Sequence, residues 1–190
     1  MWAVRRIAAL ALVLALGACS RVDNEPAPVP CVQPDAGAAV VDPALLAFLS
    51  SARSAHHKAD LLEQSAELAG ATKALEDLLA GAKPPGTRVE VDEVLSDTHA
   101  RLADLYSRQG QMAQAERSIA AGLELAREPT YFRGHLFEVR GVVEERQAEA
   151  LGKAGKTEEA KQARERALSA FEEAMSIQKK VIEGAAPARP

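Results

Sequence analysis

The chain has 190 residues, 23 Lys and Arg against 27 Asp and Glu, and 47% hydrophobic residues, a length that argues for one domain or at most two small ones. Alanine fills 39 positions while aromatics make up only 4%. That balance argues against a β-sandwich or barrel, whose strands draw on β-branched and aromatic residues, and for closely packed helices. A net charge of −4 excludes a general polyanion binder, and two cysteines are too few for a disulfide scaffold or a four-thiolate zinc site.

The first element is an address. Residues 1–6 carry Arg5 and Arg6, and residues 7–16 are an uncharged run of Ala, Leu, Val and Ile. As a helix that run spans ~15 Å, half a bilayer core, which is the length of a signal h-region and too short for a transmembrane anchor. It ends in Leu16-Gly17-Ala18-Cys19. This pattern resembles the lipobox of bacterial lipoproteins. The resemblance implies a signal peptide over 1–18, cleavage before Cys19, and a lipidated Cys19 holding the chain to a membrane of the cell envelope. Each buried CH₂ adds ~0.8 kcal/mol, so two or three acyl chains anchor firmly where one is marginal. Ser20 follows, and by the sorting rule of enteric lipoproteins a residue other than Asp there implies the outer membrane over the inner. Without Arg5 and Arg6 the remainder carries 21 basic and 27 acidic residues, a net charge of −6. Charge and location together exclude nucleic acid as a partner.

Residues 19–41 read as a tether. Pro26, Pro28, Pro30 and Pro34 alternate with small and polar residues, a composition that buries no core, and residues 21–41 extend up to ~65 Å at ~3.1 Å per residue. Cys31 lies here. With Cys19 acylated it has no partner in its own chain, and it is either an idle thiol or a link to another chain.

The helical domain is expected over 42–184. Asp42-Pro43 pairs a preferred N-cap with the residue favoured at the first helical position. The prolines at 84, 85 and 129 then divide the chain into three helix-permissive windows. In the first, Leu45, Leu49, Ala52, Ala59, Leu61, Leu62 and Leu68 follow a helical period, Gly70 is expected to interrupt, and a short helix runs from Lys73 to Ala80. The second opens on Thr87-Arg88-Val89-Glu90, a capping-box pattern. One apolar face then runs from Val91 to Tyr106 and stops at Gly110, and its partner face runs from Met112 to Ala126. In the third, Phe132, Leu136, Val139, Val143 and Ala150 mark a long helix ending near Gly152 and Gly155. Thr157 is expected to cap the last helix, which reaches Gly184, with 185–190 a frayed tail. Short connections force neighbours to fold back, so the expected fold is all-α: three antiparallel helix pairs.

Gly110 with Ala115 recurs as Gly155 with Ala160, an offset of 45. Around the middle pair, Leu102, Ala103, Tyr106, Gly110, Ala115 and Ile119 resemble the tetratricopeptide repeat, with its leucine, small residue, aromatic, turn glycine, alanine and large apolar positions. Residues 97–129 carry the match. The resemblance implies an α-solenoid, with a compact helical bundle the other form open to these helices, and Ala103 and Ala115 buried where paired helices come close.

In that family the first helix of each pair lines a concave face. The resemblance therefore places Glu63 and Glu67, then Asp97, Asp104 and Arg108, then Glu145, Glu149 and Lys153 there. That set, six acidic residues and two basic, is net negative and misses most of the Lys, Arg and Asn of the family's carboxylate-binding grooves, so the expected partner is a basic segment of an envelope protein. Tyr131, Phe132, Arg133, His135 and Phe137 form a second candidate, a ligand cluster or a core junction. Gly134, Gly141 and Ala148 lie seven apart on one stripe, to admit either a helix of the same chain or a partner's. Catalytic signatures are missing: no phosphate loop, no Gly-x-Ser-x-Gly, and no Cys-His motif. His56 and His57 diverge by ~100° on a helix and do not chelate one ion, and no cofactor or metal is expected. The function expected is a lipid-anchored adaptor or assembly component, the alternative a small-ligand or peptidoglycan-fragment binder.

Overall fold

The computed structural model of the protein describes residues 42–86 and 88–185, and every regular element among them is helical. Six helices follow one another: α1 (Pro43–Gln64), α2 (Leu68–Ala80), α3 (Val89–Arg108), α4 (Met112–Leu125), α5 (Tyr131–Lys153) and α6 (Thr157–Ala185). Three-residue turns fold each odd helix back on the next, so the architecture is three antiparallel hairpins, as the sequence predicts. Cys19, expected to carry the anchor, residues 19–41, expected to form the tether, and Cys31 lie outside the described residues.

The helix starts follow local chemistry in part. Asp42 caps α1, its Oδ1 accepting from the Ala44 N–H at 2.7 Å. Thr130 caps α5 by accepting from the Arg133 N–H at 3.3 Å. The expected capping box fares differently. Thr87 lies outside the described residues, and Arg88 at the N-cap of α3 makes no side-chain cap bond. Its guanidinium pairs with the Asp42 carboxylate instead and joins the starts of the first two hairpins. Thr157 is the first residue of α6; the carbonyl that receives the Ala160 N–H, at 2.9 Å, belongs to Lys156.

The expected break at Gly70 is displaced. α1 ends at Gln64, Ala66 takes the left-handed conformation at φ +61°, and Gly70 lies inside α2 against the Leu62 side chain. The reason is a hydrogen-bond pattern. The Ala66 N–H donates to the Glu63 carbonyl and the Glu67 N–H to the Leu62 carbonyl, the paired bonds of a Schellman stop. The same two bonds recur at Gly110 and Gln111, donating to Ser107 and Tyr106, and at Gly155 and Lys156, donating to Gly152 and Leu151. Ala66, Gly110 and Gly155 are therefore equivalent points, 44 and 45 residues apart. The equivalence extends to the small residues on either side. Ala59, Ala103 and Ala148 are buried before the turn, and Ala71, Ala115 and Ala160 after it. The burial expected of Ala103 and Ala115 is complete, at 0% exposure each. The first hairpin is thus a geometric repeat of the other two, with alanine where they use glycine.

Contacts run only between neighbours. α3 packs on α1 and α2, α5 packs on α3 and α4, and α6 packs on α5 alone; among the described residues the first and third hairpins do not touch. This is the stacking of a solenoid, in which each unit is stabilised by the next. The core follows the same rule. Phe48, Ala52 and Leu78 meet Val91 and Leu95 at the first junction, while Ile119 and Ala103 meet Leu136, Val139 and Val143 at the second. Tyr106 also ties neighbours, donating to Glu76 Oε1 at 2.5 Å; burial and that bond push its hydroxyl up to about 12. The stripe of α5 admits a helix of its own chain: Cβ atoms added at Gly134 and Gly141 would meet Gln178 and Phe171 of α6 within 2.6 Å.

Candidate functional site: a groove across the first helices

Because α1, α3 and α5 stand side by side, one face of each contributes to a common groove. It has a volume of about 660 Å³, with His57, Asp60, Glu63, Arg101, Asp104 and His135 among its polar lining and Ala100, Val139 and Val142 beneath.

The charges in and beside this groove are bonded to one another across the hairpins. Arg101 of α3 donates through Nη2 to Asp60 Oδ1 and Glu63 Oε1 of α1, both at 2.7 Å. Arg108 donates to the other oxygen of Glu63 at 2.5 Å and stands 3.6 Å from Asp104. Arg146 of α5 donates to Asp104 Oδ1 and Ser107 Oγ, both at 2.6 Å. The result is a continuous chain, Asp60–Arg101–Glu63–Arg108–Asp104–Arg146, that crosses all three hairpins. It also repeats: the arginine of one hairpin reaches the aspartate of the hairpin before it, Arg101 to Asp60 and Arg146 to Asp104.

His56 lies at the edge of this network, and its partners define its protonation. Thr98 donates its hydroxyl to the Val94 carbonyl at 2.7 Å, so its oxygen accepts from His56 Nε2 at 2.9 Å. Arg101 has only donors, so its contact with His56 Nδ1 at 3.2 Å makes that nitrogen the acceptor. The imidazole is therefore neutral. Burial and the Arg101 charge hold its pKa below the usual value, against the upward pull of Asp97. Asp97 bridges two histidines loosely, at 3.8 Å from His56 Nδ1 and 3.9 Å from His135 Nε2.

Of the residues expected on the concave face, Glu63, Asp97, Asp104 and Arg108 come together here. Glu67 does not: α1 ends before it, and it sits exposed at the N-cap of α2. Glu145 is exposed on α5 outside the groove lining. Glu149 and Lys153 pair with each other at 2.6 Å near the end of α5, and that bond holds the Glu149 carboxyl below its usual range. Asp60, Arg101 and Arg146 are the residues sequence reasoning missed. The signal was present, since Asp60, Asp104 and Glu149, and likewise Arg101 and Arg146, recur at the repeat spacing. The three guanidiniums offset most of the negative charge expected of the groove.

The aromatic cluster does not converge on one cavity. Phe132 packs against the core between the second and third hairpins, and only His135 lines the groove. Tyr131 is 56% exposed, stacked on His135 with ring centres 5.9 Å apart. Phe137 lies beneath the guanidiniums of Arg133 and Arg140, at 5.4 and 5.9 Å from the ring centre. Arg133 also donates to the Ala126 carbonyl at 2.8 Å, fixing the α4–α5 turn.

Among the described residues no group of three or more His, Cys, Asp or Glu side chains is placed to hold a metal ion, and no helix is long and apolar enough to cross a membrane. No protein-family model matches the chain, and neither a curated protein nor a solved structure is detectably similar to it.

Proposed function

We propose that the protein is a lipid-anchored interaction module of a bacterial cell envelope, a tetratricopeptide-repeat-like adaptor that holds an extended segment of another envelope protein in the groove of α1, α3 and α5. The observation that carries this reading is the groove itself: a polar trough built from the first helix of each of three repeated hairpins and held open by bonds between them. The lipobox-like Leu16-Gly17-Ala18-Cys19 supports the anchor, and the Pro-rich residues 19–41 supply the reach. Asp97, which among the described residues meets His56 and His135 and no guanidinium, favours a basic segment, with attraction that weakens as salt screens it over ~8–10 Å.

The test is crosslinking and affinity capture of the lipidated protein from envelopes. Asp97→Lys should weaken capture of a basic partner about tenfold, mostly through the on-rate, and leave thermal stability unchanged. Capture insensitive to Asp97→Lys and to salt would sink the groove reading. Cys19→Ala in the same cells should leave an unlipidated chain; a processed, lipid-bearing product from that variant would sink the anchor.

A further inference from the structure

The two ends of the solenoid differ. At the first end, the positions of α1 that correspond to the packing residues Leu95 and Leu102 of α3 are Ser51 and Lys58. Those that correspond to Val139 and Val143 of α5 are Ser50 and Ser54. All four are exposed; Leu61, the counterpart of Leu105, is the apolar exception at 52%. This is the mainly polar outer face that a terminal repeat needs. The other end carries a longer apolar stripe among its charges. Leu79 and Leu123, one repeat apart, are partly buried against the next hairpin. Leu168 of α6 is the third member of that series, and with no hairpin beyond it, it is 64% exposed. Met175 and Ile182 continue from it at intervals of seven, 64% and 71% exposed. The three form a stripe ~21 Å long on a helix that packs only on α5. A trough of about 600 Å³ runs beside it, lined mainly by apolar surface of Phe171, Met175 and Ile182.

Three features select the occupant. A seven-residue interval of apolar side chains is the pattern of a helix pairing with a helix. A second copy stacking head to tail would bring the polar α1 face against it, which the serines and Lys58 disfavour. An antiparallel copy of α6 fits both the stripe and its charges. Centred on Met175, such a pair sets Leu168 against Ile182 of the second copy and Met175 against Met175. It also sets Glu172, exposed beside the stripe, within about one residue of the exposed Lys179 of the second copy, and two-fold symmetry makes that contact twice.

We infer that the protein self-associates into a two-fold dimer through the Leu168–Met175–Ile182 face of α6, with reciprocal Glu172–Lys179 pairs fixing the register. This does not depend on what the groove binds. It leaves α1, α3 and α5 free and places two grooves in one assembly, so a partner with two binding segments gains avidity.

Single cysteines test it in the full chain carrying Cys19→Ser and Cys31→Ser, which leaves no native thiol. Under mild oxidation Met175→Cys should link two chains. Leu168→Cys and Ile182→Cys should each link poorly alone and well when mixed. Glu172→Lys should lower the Met175→Cys yield several-fold, and adding Lys179→Glu should restore it, since both positions are exposed and neither change touches the core. Linking that is equal at all three positions, or a Met175→Cys chain that stays single, would overturn the proposal. So would protection of Met175→Cys from a water-soluble thiol reagent by phosphatidylglycerol vesicles with no dimer formed, which would assign the stripe to a membrane surface.

Discussion

Two residues show how a single side chain carries a conformational or electrostatic load. Ala66 sits at φ +61°, where its counterparts Gly110 and Gly155 sit at +75°. A Cβ in that region costs roughly 1–2 kcal/mol. Ala66→Gly relieves it and returns part of the gain by loosening the unfolded chain. The variant should be more stable by roughly 0.5–1 kcal/mol, and urea unfolding would show it; a lower midpoint would mean that Ala66 is held by contacts the turn geometry does not reveal. His56 carries the second load. It and His99 are both held below the usual histidine value, burial being the first cause in each, with Arg101 adding at His56 and Lys83 at His99. As pH falls under 6.5 the unfolded chain takes up protons before the folded one does. This contribution to stability is therefore whole above pH 6.5 and is lost as pH drops through the folded values below it. Melting temperature should decline between about pH 7 and pH 5, and His56→Gln should flatten the decline. A parent profile without that slope would contradict the neutral imidazole.

At the scale of the helix, α5 shows why a glycine is kept where alanine has the better propensity. Phe171 of α6 occupies the space a Cβ at Gly141 would take, with Cε1, Cζ and Cδ1 at 2.6–2.8 Å, so the half-buried ring would have to move as a whole. Overpacking costs ~1–3 kcal/mol, against ~1 kcal/mol gained in helix propensity. Gly141→Ala should therefore destabilise the protein. Gly152, near the end of the same helix, has no atom within 4 Å of such a Cβ, and Gly152→Ala should stabilise it by up to ~1 kcal/mol. Thermal melts of the pair separate close approach from propensity; a Gly141→Ala protein as stable as Gly152→Ala would remove the close-approach argument.

At the scale of the whole molecule, cohesion between hairpins comes from buried apolar junctions and from the arginine that each hairpin extends to the one before. Arg146 and Asp104 are each about one-third exposed, so their bond is screened and worth little more than a surface pair. A double-mutant cycle with Arg146→Gln and Asp104→Asn should give a coupling of about 1 kcal/mol. A coupling near zero would leave the junction to Val139, Val143 and Ile119 alone. The hairpins themselves were legible in the chain, because the apolar period, Pro84-Pro85, Pro129 and the glycines at 110 and 155 act within a few residues. The first turn was not, since Ala66 has no turn preference and is held by the packing of α1 on α2. Half the groove was not legible either. Glu63 and Asp104 were expected on the concave face as part of a net-negative groove, whereas Arg101 and Arg146 approach them from 38 and 42 residues away and pair with them.

The sequence by itself determined the all-helical class, the three antiparallel pairs and the small residues at their contacts, because propensity, periodicity and turn chemistry are properties of neighbouring residues. Tertiary structure alone decided which carboxylates are paired, that the aromatics of α5 diverge, and that one end of the solenoid is mainly polar while the other leaves Leu168, Met175 and Ile182 uncovered. Those outcomes depend on which helices come to lie side by side, and the energies that bring them there are summed over contacts between residues distant along the chain.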